Sequence, residues 1–308
     1  MAISDPTTRF HGLPVVPFDP ERGVEDPGAA IRIHVGWDEA EEGQDAVALI
    51  EALAGDENAG EVRALLIGDW GQAGQMDPSE PAVAALVEAA DRLPALEALF
   101  LGDMTFEDCE ISWIEHGDLT ALFEIESLKE LWIRGGAIEL SPVKHVGLEK
   151  LVFQSGGLPF AVPSALASSE LPALRHLELW LGTDEYGGPS TADAVKPLLA
   201  RTFPSLRTLG LRNAQIADEV AKALHEAPIL DGVEALDLSL GTLSDVGVQA
   251  LIDNPRITKL KRLDVHHHYA SDEALAALQK LGPEVTTVGA DSPDDDGDPE
   301  WRFVAHSE

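Results

Sequence analysis

Three consecutive segments repeat one pattern of apolar and polar positions. They are LRTLGLRNAQIADEVAKAL (206–224), VEALDLSLGTLSDVGVQAL (233–251) and LKRLDVHHHYASDEALAAL (260–278). Leu209, Leu236 and Leu263 fall 27 residues apart, as do Asp218, Asp245 and Asp272. The first half of each segment, LxxLxL, alternates sides over a short stretch, which is the period of a β-strand. The second half carries apolar residues at helical spacing. Between them Asp218, or Ser244 and Ser271 in the later copies, offers an oxygen to cap the free N–H groups of the helix. Each unit is therefore strand, turn and helix. None can bury its apolar face alone, so the units must stack.

Upstream the pattern is less regular. Strand cores are predicted at 62–67, 96–101, 128–133, 148–153 and 174–179. Their fourth positions continue one series: Leu65, Leu99, Leu131, Leu151, Leu177, Leu209, Leu236 and Leu263. The unit from Leu131 to Leu151 has no room for a full helix and is expected to close with a tight turn through 140–146. AIRIHV at 30–35 reads as a further, degenerate strand. Three regions follow: an N-terminal cap (1–29), a stacked array of about eight units (30–288,) and an acidic C-terminal tail (289–308). In the tail, DSPDDDGDPE has the composition of a disordered run. Trp301, Phe303 and Val304 are unusual there. They are expected to fold back over the last unit or to serve as a short docking peptide, the first being preferred because terminal units need covering.

Strand residues alternate sides, so the third, fifth and seventh positions of each unit share the face away from the helices. The fifth positions read Leu66, Phe100, Trp132, Val152, Glu178, Gly210, Asp237 and Asp264, and the seventh include Arg134, Trp180, Arg212 and His266. This column is apolar at its N-terminal end and charged at its C-terminal end. Trp and Arg are the residue types that most often anchor binding surfaces. Phe100, Trp132, Arg134, Trp180, Glu178, Arg212, Asp237, Asp264 and His266 are thus the candidate partner-binding residues. The alternative is that tight curvature or an overlying loop buries the rings. Asp237, Asp264 and His266 have the donor types for a divalent cation or a shared proton, but Arg212 and Arg262 are expected neighbours that would neutralise the acids. His266, His267 and His268 cannot chelate together from one strand, because alternation separates them. Two insertions at strand ends, 103–118 and 183–189, are the other candidate region. Cys109 lies in the first among Glu107, Asp108 and Glu110, whose charge disfavours a thiolate. No nucleophile elbow, phosphate loop, HExxH or paired CxxC occurs.

Charge narrows the partner class. With 55 acidic against 21 basic residues the formal net charge is −34. Such a field disfavours nucleic acid and anionic lipid and speeds encounter with basic surfaces; it also serves solubility alone. No apolar run is long enough to span a bilayer, and the first residues lack a basic segment followed by an apolar one. The single cysteine excludes an intrachain disulfide. A cytoplasmic location is expected.

The last three units resemble the ribonuclease-inhibitor subtype of leucine-rich repeat. The whole chain is similar to a family of bacterial leucine-rich-repeat proteins, through FHGLPVV, CEISWI, LWLGTDEYGG, LDLSLGTLSD and HHH. The resemblance implies an α/β solenoid, or horseshoe, with parallel strands on the concave face and helices on the convex face. It also implies a role beside radical-SAM and ATP-grasp enzymes, near whose genes members tend to be encoded. One departure stands out. The ninth position, Asn in the common repeat, holds Gly182, Ala214, Gly241 and His268, so the turn must be satisfied by other means, such as the close backbone packing that glycine permits.

The expected function is a non-catalytic module, without cofactor or metal, that binds a protein on its concave face. The partner is expected to carry one apolar and one basic region, an enzyme of the same pathway being one candidate. The alternatives are an enzyme subunit or metal-binding protein using the acidic residues of that face, and a receptor for an extended peptide along Phe100, Trp132 and Trp180.

Overall fold

A computed structural model describes residues 3–71, 73–289 and 301–307. Its strands are β1 (Arg9–Phe10), β2 (Leu13–Pro17), β3 (Ala30–Val35), β4 (Ala64–Trp70), β5 (Ala98–Leu101), β6 (Glu115–Asp118), β7 (Glu130–Arg134), β8 (Gly136–Glu139), β9 (Lys150–Gln154), β10 (His176–Gly182), β11 (Thr208–Ala214), β12 (Ala235–Asp237), β13 (Arg262–Asp264) and β14 (Glu284–Thr286). Twelve of them form one sheet in chain order, with β6 and β8 left out to make a small second sheet. The β1–β2 pair is antiparallel and every later pair of the large sheet is parallel. The protein is thus mixed α/β with a mostly parallel sheet.

The helices between strands are α1 (Trp37–Glu41), α2 (Ala46–Gly55), α3 (Glu80–Ala89), α4 (Ala161–Ser168), α5 (Lys196–Leu199), α6 (Ala217–Ala223), α7 (Asp245–Ile252) and α8 (Asp272–Leu278). All eight fourth-position leucines, from Leu65 to Leu263, are buried in one core with Leu53, Leu86, Val162, Val220, Val248 and Leu275 of these helices. Parallel strands require a crossover, and the helix supplies both the return path and the apolar lid. Register follows the predicted column throughout: Leu66, Phe100, Trp132, Val152, Glu178, Gly210, Asp237 and Asp264 are successive neighbours.

Two local expectations change. The short unit does not close by a turn alone. β8 follows β7 at once and pairs with β6 from the 103–118 insertion. Asp218 does not cap its own helix, whose N-cap position is Ile216. Its carboxylate accepts instead from Ser244 N and Oγ and from Gly247 N, at the start of α7 in the next unit. Asp245 does the same toward Ser271 N and Oγ, while Ser244 and Ser271 cap α7 and α8 as expected. Asp218 and Asp245 are therefore ties between units.

At the ninth positions glycine does permit a close approach. Gly182 has φ +68°, and a Cβ there would lie 1.8 Å from the Gly156 carbonyl oxygen. His268 takes over the side-chain role. It is fully buried, its Nε2 lies 3.1 Å from the Thr287 carbonyl and its Nδ1 accepts from Ala270 N. His267 has φ +53°, which breaks the strand alternation. The three rings separate, His266 to Asp264 and His267 to the Phe303 carbonyl.

Candidate functional site on the sheet face opposite the helices

The face divides in two. Over β3 to β5 it is closed, because Phe10 packs with Ala30, Ala64, Leu66, Ala98 and Phe100 in a second apolar cluster. The Phe10 and Phe100 ring centroids are 5.9 Å apart. Phe100 is only 2% exposed, so it is a core residue and not the open anchor its column suggested. The physical cause is the N-terminal β1–β2 hairpin, which turns back across the strands it precedes. Arg134 is also buried; it donates to the Gln154 side chain and to the Met104 carbonyl. Burial lowers its pKa to about 10, opposed by Asp103.

From β7 to β13 the face is half open. Glu130, Trp132, Lys150, His176, Arg212, Asp237, Asp264 and His266 are all partly exposed. Two similar groups stand on it. In the first, the Trp132 indole N–H donates to Glu130 and Lys150 Nζ sits 4.5 Å from the Trp132 ring centroid. In the second, the Trp180 N–H donates to Glu178 and the Arg212 guanidinium lies 5.4 Å from the Trp180 ring. Each pairs a Glu-x-Trp strand with a cation from a neighbouring strand, which is a cation–π contact oriented by a carboxylate. A cavity of about 490 Å3 adjoins the first group, lined by Phe10, His11, Phe100, Glu130, Trp132 and Lys150 among others.

Charge neutralisation runs along the strip. Arg212 bridges Glu178 at 2.9 Å and Asp237 at 3.2 Å. Burial opposes ionisation of Glu178, but the His176 hydrogen bond, the Arg212 charge and the Trp180 N–H outweigh it and hold the carboxyl at about 2. Glu130 is likewise lowered: burial opposes this, and His11, Lys150 and Trp132 prevail. Asp237 is shifted upward by burial despite Arg212. Asp264 accepts from His266 N, and its Oδ1 lies 2.8 Å from His266 Nδ1. The expected arginine partner of Asp237 is therefore in place, while Arg262 is exposed. Among the described residues no group of three or more His, Cys, Asp or Glu is arranged to hold a metal ion.

Trp180 departs from expectation. It is 6% exposed, because residues 301–307 fold back across the C-terminal ends of the central strands and stack His306 on its ring at 5.0 Å. The tail thus covers β10 to β13 at their ends rather than capping the last unit. Trp301 and Phe303 remain about half exposed while Val304 and Ala305 are buried. The acidic run 291–300 lies outside the described residues. The sequence anticipated a fold-back but not its seat, since the seven-residue segment has no periodicity to match against its receptor. Cys109 is buried, with its pKa raised to about 11 by burial and by Asp69, Glu110 and Asp108. Among the described residues no helix is long and apolar enough to cross a membrane.

Fold and site together define a mixed α/β protein with a mostly parallel sheet, helices on one face and a charged, half-open strip on the other. Among solved structures it is similar to a Bacteroides fragilis protein determined as a structural-genomics target, with a TM-score of 0.76 and 31% identity, over 89% of this chain and 76% of that one. The chain belongs to the same family as that protein. No protein-family model matches it, and no curated protein does.

Proposed function

We propose that the chain is a leucine-rich-repeat solenoid of the ribonuclease-inhibitor-like kind, a non-catalytic module that binds a protein partner on its concave face. The supporting observation is the strip from Trp132 to His266, where aromatic and charged side chains of successive strands stay partly exposed while the N-terminal part of the same face is filled by Phe10. Partly exposed Trp and Arg beside an ion-pair network form an anchor surface, and they are unusual on a face that meets only water. The apolar half of the expected contact is used internally, so the partner's apolar demand contracts to Trp132. Its basic region faces Asp237 and Asp264, within the field of a chain of net charge −34. Association should therefore weaken with salt.

The test is affinity capture from the native cell at low and high ionic strength, with a Trp132→Ala, Asp264→Lys double variant as control. The reading expects a partner retained by the natural chain, lost by the variant and depleted at high salt. Equal recovery by both forms removes this face from the contact.

A further inference from the structure

Residues 303–307 are held the way a receptor holds a peptide. Their main chain is bonded at nearly every residue by groups from four separate parts of the chain. Phe303 N donates to the Tyr269 hydroxyl, which donates back to the Phe303 carbonyl. Ala305 N donates to the Leu240 carbonyl. Asn213 faces His306 as a second backbone would: its Oδ1 accepts from His306 N and its Nδ2 donates to the His306 carbonyl. Ser112 Oγ donates to the Ser307 carbonyl. Main-chain bonds of this kind give affinity without regard to sequence.

Side chains add selectivity. Ala305 is buried in a small cluster with Ile111, Trp180 and Leu240, against which Ile3 packs. The His306 ring stacks on Trp180 with an interplanar angle of 23°. Asn213 is set at the end of β11, where its N–H donates to the Ser239 carbonyl and its φ is +51°, the left-handed conformation that Asn tolerates. The connecting residues 290–300, ADSPDDDGDPE, carry six acids on an already acidic chain.

We propose that this groove, formed by Tyr269, Leu240, Asn213, Trp180 and Ser112, is a peptide-binding site that residues 303–307 fill in cis. Its ligand is an extended segment with small apolar residues at two successive positions followed by a flat ring. A partner protein presenting such a segment displaces the intramolecular copy. Belonging to the same chain, the cis segment competes intramolecularly, at an effective concentration on the order of 1 mM, so a weakly held copy suffices to keep the groove filled until a better ligand arrives. The site lies at the strand ends and does not use Trp132 or Asp264, so it stands or falls separately from the concave-face reading.

The probe is a fluorescein-labelled peptide RFVAHS, followed by anisotropy on the full chain. A Val304→Asp, Ala305→Asp variant, which expels the cis segment, should bind the probe at least about tenfold tighter than the natural chain. Adding Asn213→Ala to that variant should reverse the gain, and a probe carrying the same two aspartates should not bind. A folded tail-released variant that ignores the probe overturns the proposal. Hydrogen exchange on the natural chain decides independently of whether the variants fold. The amides of Ala305 and His306 should exchange about a hundredfold or more faster than those of β11, as a separately opening segment does. Protection equal to β11 would make the segment part of the core and overturn exchange.

Discussion

Replacing Asp218 by alanine should destabilise the protein well beyond the cost of an ordinary surface substitution. The carboxylate accepts from Ser244 N at 2.8 Å, Ser244 Oγ at 2.5 Å and Gly247 N at 3.0 Å. Ser244 is buried, and Gly247 belongs to the buried side of the first turn of α7. Removal strands two main-chain donors at a helix N-terminus, where no intrahelical acceptor exists. Bonds to a charged acceptor contribute about 1.5–3 kcal/mol each, and three would sum to an upper bound. Asp218 is partly exposed, so water recovers a share, and the expected loss is about 2–4 kcal/mol. Asp218→Asn keeps an acceptor and should lose about 1 kcal/mol. Asp245→Ala breaks the corresponding tie to Ser271 at a more exposed position and should also lose about 1 kcal/mol. Urea denaturation read by circular dichroism measures these differences. A double-mutant cycle with Ser244→Ala should show coupling of about 1–2 kcal/mol. If Asp218→Ala stays within about 0.5 kcal/mol of the natural chain, or the two substitutions add, the aspartates are not ties between units.

Three further outcomes are expected. His116 is fully buried between the Ser79 hydroxyl and the Arg134 carbonyl, and burial lowers its pKa from 6.5 to about 4 against that carbonyl bond. Its unfolded form takes up a proton first, so its contribution is complete above pH 6.5 and declines by about 3 kcal/mol as the pH falls to 4. The His116→Gln variant should show a shallower loss of urea stability over that window, and an unchanged slope would exclude His116 as its source. Gly182→Ala should lose about 3 kcal/mol or more, whereas Gly187→Ala, at φ +87° with open space around it, should lose about 1 kcal/mol; equal denaturation midpoints for the two would contradict the close approach to Gly156. Cys109, raised to about 11, should resist a thiol reagent at mildly alkaline pH until the chain is unfolded, and rapid labelling of the native protein would show the thiol to be accessible.

Much of this protein was legible in its sequence because the relevant order is periodic. The LxxLxL spacing placed the fourth-position leucines in the core and set the strand register from Leu66 to Asp264, since a one-residue slip would turn every leucine out of the core. Charge and residue type along one column also marked Arg212 beside Asp237. What the sequence could not carry was contact between segments far apart and without period. Phe10 closes over Phe100, and His306 stacks on Trp180, each across a long stretch of chain. Those two coverings decide which aromatic residues of the column remain available, leaving Trp132 partly exposed at the edge of the Phe10 cluster and Trp180 filled. The Asp218 oxygens stood at a helix start in the sequence, but only the stacking of units, about one helix diameter apart, decided that they cap the neighbour rather than their own helix.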